Sequence, residues 1–160
     1  MLLALEQSEP MRASIPVLLE ATYACWATGD LEAMLRCVSD DITFVNHLPT
    51  DVVPFAGPVR GKAALAQQLG VILDQFEIIE YRPVRITAVT GSFHSQVHFH
   101  YRHKSTGLTY EGSLRHVWQI EGDKIVRLEE FHDPERTRAF FELLASYEQR
   151  PDESRPKGDG

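Results

Sequence analysis

The chain of 160 residues is 43% hydrophobic and 24% charged, enough for one globular domain with a core of its own. Its formal charge of -7 argues against a nucleic-acid surface, where a clustered basic face is expected. No run of about 18 apolar residues is present to span a membrane.

The opening Met1-Leu2-Leu3-Ala4-Leu5 is a short apolar run without a basic segment before it, so no secretory signal is expected. Residues 1–12 lack periodicity and read as a flexible tail. Ser14 suits an N-cap and Pro16 a first helical turn, after which Ile15, Leu18, Leu19, Thr22, Cys25 and Trp26 recur at helical spacing. Gly29 ends that helix, and Asp30 can cap a second one carrying Leu31, Met34 and Leu35. The two cysteines, Cys25 and Cys37, form no pair of zinc-ribbon or redox type, so free thiols and a cytoplasmic location are expected.

A strand is expected at 42–46, inside the stretch DDITFVNHLP. Ile42 and Phe44 share a face, and Asn46 is next on it, either capping the strand or facing a cavity. The following segment holds Pro49, Pro54, Gly57, Pro58 and Gly61 and reads as a long loop, suited to a rim or lid. Leu65, Leu69, Ile72 and Phe76 mark a third helix. The period then switches to two, which predicts strands over 78–88, 92–104, 108–121 and 124–132. Asp133-Pro134-Glu135 starts a last helix continued by Phe140, Phe141, Leu144 and Tyr147. Residues 149–160 read as a disordered polar tail, which leaves 13–148 as the domain. The element order predicts an α+β fold, a curved antiparallel sheet with helices packed on one face.

Alternation assigns the faces. Phe93, Val97, Phe99 and Tyr101 point one way, and His94, Gln96, His98, His100 and Arg102 the other. His94, His98 and His100 thus fall on the outer, convex face, and no metal site is expected there. In the next strand Tyr110, Leu114, Trp118 and Ile120 fall together, with His116 among them. A three-residue loop at Gly122-Asp123-Lys124 pairs Ile120 with Val126, Trp118 with Leu128 and His116 with Glu130. A two-residue turn pairs His116 with Glu129 instead. The first register keeps the apolar pairs together and leaves one polar pair inside.

The segments WATGDLEAMLRCVSDDITFVNH, GPVRGKAAL and HVWQIEGDKIVRLEEFHD resemble nuclear transport factor 2-like proteins of the SnoaL-like, ketosteroid-isomerase-related branch. The resemblance covers about 14–145 and implies a cone-shaped (cystatin-like) fold around an apolar pocket, with dimers formed through the convex sheet face. It implies steroid-isomerase, polyketide-cyclase or epoxide-hydrolase relatives. The isomerase aspartate falls at Asn46, its second carboxyl acid at His116, and its oxyanion tyrosine at Thr22, beside Tyr23. The hydrolase tyrosine and asparagine fall at Phe44 and Asn46 and its last aspartate at Glu130, while its arginine and other aspartate fall at Val97 and Phe99. Neither set is complete, and the polyketide-cyclase-like relatives are the nearest in kind.

The resemblance and the His116–Glu130 register together imply acid–base work without a cofactor on a small apolar ligand bearing a carbonyl or hydroxyl. Glu130 would be the general base, His116 its partner or an acid, and Asn46 the amide that polarises substrate or water. Tyr23, Trp26, Phe44, Leu65, Leu69, Phe99, Tyr101, Trp118 and His132 would line the cavity. The alternative is a non-catalytic binding or dimerisation module in which the polar pair satisfies itself.

Overall fold

The computed structural model describes residues 16–150. The expectations for the N-terminal tail, Ser14 and Ile15, and for the C-terminal tail beyond residue 150, lie outside the described residues. Helix α1 covers 16–27 and turns Leu19, Thr22, Tyr23 and Trp26 inward, a stripe that includes Tyr23 beyond the predicted set. Gly29, at φ +73°, ends it in a conformation that costs glycine nothing. Asp30 then caps α2, Leu31–Leu35, by accepting from the Ala33 amide at 3.1 Å.

Strand β1 runs Val38–Asn46, four residues longer at its start than the alternation predicts. The breaker-rich segment after it is not all loop: β2, Gly57–Arg60, pairs antiparallel with β1, setting Asn46 opposite Gly57. Pro58 hides this strand in the sequence, yet β2 is the sheet edge, where a missing N–H is tolerated. Helix α3, Lys62–Gln75, buries Leu65, Gln68 and Leu69, and Phe76 opens the next strand rather than closing the helix. Strands β3 (Phe76–Val89), β4 (Ser92–His103), β5 (Thr109–Glu121) and β6 (Lys124–Phe131) follow. Helix α4, Pro134–Glu148, starts as expected, with the Asp133 carboxylate accepting from the Glu135 and Arg136 amides.

The sheet order is β2-β1-β6-β5-β4-β3. Four pairings are antiparallel, but β1 joins β6 in parallel, so the sheet is mixed rather than purely antiparallel. Helix α3 packs on β1, β2 and β3. One core cluster joins Leu19, Tyr23 and Trp26 of α1 to Phe44, Val97, Phe99, Leu114, Trp118 and Ile125 of the sheet. A second gathers Phe140, Phe141 and Leu144 of α4 over Phe76 and Val53.

The β5–β6 hairpin combines parts of both expected registers. Its turn is the two-residue Gly122-Asp123 form, with Glu121 opposite Lys124 and Ile120 opposite Ile125. The register then shifts, so Gln119 faces Arg127, Trp118 faces Leu128 and His116 faces Glu130. Val126 is the extra residue of a β-bulge, and the predicted Ile120–Val126 pair does not form. The physical reason is burial: Ile125 is fully enclosed in the core, while Val126 is only half-buried.

Candidate active site

Glu130 is held between two imidazoles. The ladder sets His116 across from it with Nε2 2.8 Å from Oε2, and His132, just past the end of β6, brings its Nε2 to 2.8 Å from Oε1. The other nitrogen of His116, Nδ1, meets the hydroxyl of Tyr23 at 2.5 Å. That hydroxyl also contacts Ser95 Oγ, on β4 opposite His116, and Trp118 Nε1 donates to Ser95 at 2.9 Å and to Tyr23 at 3.1 Å. The Tyr23 and His116 rings stack at an interplanar angle of 18°.

These contacts fix the direction of the protons. Burial works against the charge of Glu130, but His132 and His116, by charge and hydrogen bond, hold its carboxyl well below the usual carboxylate range. An ionised carboxylate only accepts, so both Nε2 atoms carry the hydrogen. Burial likewise pushes the Tyr23 hydroxyl far above the usual phenol range, against the lowering effect of Ser95 and Trp118, so it stays protonated and can donate to His116 Nδ1.

Asn46 ends β1 at the level of Glu130 and is buried. Its Nδ2 donates to the Phe55 carbonyl at 3.1 Å, and its Oδ1 accepts from the Gly57 amide at 2.8 Å. Gln68 of α3 donates to the same Phe55 carbonyl at 2.9 Å. The amide therefore ties the 47–56 loop to the sheet.

A cavity of about 120 Å³ lies between the helices and the inner sheet face. Asn46, His116 and Glu130 line it together with Tyr23, Trp26, Phe44, Leu65, Leu69, Phe99, Tyr101, Trp118 and His132, so every residue singled out from the sequence borders one space. Among the residues that sequence reasoning missed are Ser95 of the polar cluster and Tyr81 of the cavity wall. Ser95 shares the parity of Phe93 and Val97, which was the available signal. Tyr81 also lines the cavity, but a register shift between Ile78 and Glu80 breaks the alternation of β3 before reaching it. Thr22 folds its hydroxyl back to the Leu18 carbonyl at 2.8 Å, leaving Tyr23 as the α1 side chain that reaches the polar cluster.

The outer-face histidines stand apart from this site. His98 Nε2 approaches Glu111 at 3.1 Å and Glu80 at 3.5 Å, and among the described residues no group of three or more His, Cys, Asp and Glu is arranged to hold a metal. Among the described residues, no helix is long and apolar enough to cross a membrane.

The family model described as a SnoaL-like domain matches residues 19–128. Solved structures repeat the fold. A protein provisionally named an isomerase, from Rhodopseudomonas palustris, has a TM-score of 0.69 at 20% identity, over 82% of this chain and 96% of its own. An NTF2-like protein from Burkholderia xenovorans LB400 has 0.64 at 24%, over 76% and 91%. A protein provisionally named a polyketide cyclase, from Xanthomonas campestris pv. campestris, has 0.64 at 20%, over 85% and 98%. No curated protein sequence matches the chain.

Proposed function

The chain belongs to the SnoaL-like domain family, and from that membership we propose that its cavity binds a small apolar molecule bearing a carbonyl or hydroxyl and moves a proton on it without a cofactor. The reaction would be of isomerase, cyclase or hydratase type. One observation carries this reading: a carboxylate, 15% exposed, with an imidazole at 2.8 Å on each oxygen, borders a cavity walled mostly by aromatic and aliphatic side chains. Such a cluster holds a proton acceptor and a proton donor within reach of one ligand. His116 and Glu130 are the residues on which its acid–base work depends, and Asn46, its amide bonded to Phe55 and Gly57, holds the 47–56 loop to the sheet.

The test is a thermal-shift screen over small cyclic ketones, epoxides and polyketide fragments, followed by turnover assays of each stabilising compound. Turnover that disappears on joint replacement of His116 and Glu130, with ligand binding kept, supports the reading.

A second reading, a non-catalytic binding module, is favoured by the internal satisfaction of Asn46, Tyr23 and His116, each partnered within the fold. It predicts stabilisation by ligands without turnover of any. Dimerisation through the convex face is part of the same proposal, with His94, Gln96 and Arg102 exposed there, and sedimentation equilibrium tests it. The free thiols Cys25 and Cys37 support a cytoplasmic location, which fractionation would check.

A further inference from the structure

We propose that His132, rather than Glu130, presents the proton-accepting atom to the ligand, through Nδ1, and that the ligand is a single-ring apolar molecule carrying a hydroxyl. This rests on the reading of the cavity as a ligand site.

The polar chain around Glu130 accounts for its hydrogens one by one. Trp118 N–H serves Ser95, the Ser95 hydroxyl serves Tyr23, the Tyr23 hydroxyl serves His116 Nδ1, and His116 Nε2–H serves Glu130 Oε2. Glu130 Oε1 takes Nε2–H of His132. At that end the chain stops. His132 Nδ1 is buried and has no hydrogen-bond partner, and among the cavity-lining residues it is the one side-chain nitrogen left so. Only 10% of the His132 side chain is exposed.

A buried, unpartnered ring nitrogen destabilises the fold, a cost that a ligand bonding to it would remove. When the ring is neutral, Nε2–H on the carboxylate leaves the lone pair on Nδ1, the arrangement that makes an imidazole a base. Glu130 is then a positioning residue, since both its oxygens are occupied. A ligand hydroxyl would donate to Nδ1. In a reaction, the O–H or an adjacent acidic C–H bond breaks, its electron pair stays on the ligand, and the proton forms the Nδ1–H bond. The resulting imidazolium is stabilised by the Glu130 carboxylate, and the same Nδ1 returns the proton elsewhere on the ligand. Tyr81, with no hydrogen-bond partner among the described residues, lines the same cavity opposite Phe99, whose ring centroid lies 5.6 Å from that of His132.

The cavity volume matches about one aromatic ring, so phenol and its near-isostere toluene are the probes. The experiment measures their affinities for the wild type and for His132→Gln, whose amide can still donate to Glu130. It also records the imidazole nitrogen resonances of the wild type with and without phenol. The expected result is a hydrogen on Nε2 alone, an Nδ1 resonance that moves with phenol and not with toluene, and a phenol preference of about tenfold that disappears in His132→Gln. Both probes binding with equal affinity, or a phenol preference kept in His132→Gln, overturns the inference while sparing the ligand-site reading. A hydrogen found on Nδ1 of the free protein also overturns it. Failure of both probes to bind removes the inference together with the reading beneath it.

Discussion

His116 stands directly across the β5–β6 ladder from Glu130, and the contact between them is 2.8 Å although a β-bulge lies between that pair and the hairpin turn. The bulge sets which carboxylate meets the imidazole. Without its extra residue the two-residue turn would bring Glu129 to His116. Glu129 instead bonds His47 and Arg127 in the structure.

Replacing one partner of this cluster should be expensive. Breaking a buried charged pair costs about 3–5 kcal/mol because the remaining group stays buried and unpaired. Glu130→Leu is therefore expected to lose stability within that range in urea unfolding, with an unchanged denaturant slope. A loss below about 1 kcal/mol would show that the cluster is solvated in the native protein.

The carboxyl of Glu130 is held below its ordinary value in the fold, against burial, by His132 and His116. A depressed folded-state pKa adds stability above the unfolded value of about 4.3, and that stability is lost as pH falls toward the folded value. The stability gap between wild type and Glu130→Gln should accordingly be widest near neutrality and shrink below about pH 4. Chemical unfolding across pH 2–7 checks the sign; a gap that widens on acidification contradicts it.

Tyr23→Phe removes a hydroxyl shared by Ser95, Trp118 and His116 while leaving the ring in place. His116 Nδ1 then lacks its donor. A cost of about 1–3 kcal/mol is expected, since an unsatisfied buried group bears its desolvation penalty. Calorimetric melting of the two proteins would measure it.

The bulge can be tested by two truncations next to each other. Ile125 has no exposed surface, so Ile125→Ala should cost about 2–5 kcal/mol. Val126, the extra residue, is half-buried, and Val126→Ala should cost less than about 1 kcal/mol. The reverse order in denaturant titrations would mean that Val126 points inward after all.

Asn46→Ala removes the donor and acceptor that bind Phe55 and Gly57. Hydrogen exchange at the Gly57 amide should accelerate by roughly tenfold or more, the equivalent of a 1.4 kcal/mol local loss.

Local chemistry determined much of this protein. Two-residue alternation put Phe99 and Trp118 inside and His94 outside, and the capping acid with proline at Asp133-Pro134 started α4 where expected. The same alternation, with the resemblance, put His116, Glu130 and Asn46 around one space, because side-chain direction along a strand is a property of the backbone pleat. What the chain order could not reveal were events that depend on distant partners. β2 exists because β1 offers it an edge, in spite of Pro58. The shift that carries Tyr81 inward is set by pairing between β3 and β4, and the one at Val126 by the space that Ile125 fills in the core. The occupancy of each polar atom is decided the same way. Asn46 spends its amide on a loop nine residues away, Tyr23 reaches His116 from another layer, and among the buried side chains of the described residues only His132 is left with a free nitrogen. Hydrogen-bond satisfaction is a count over neighbours in space, and only the folded chain supplies those neighbours.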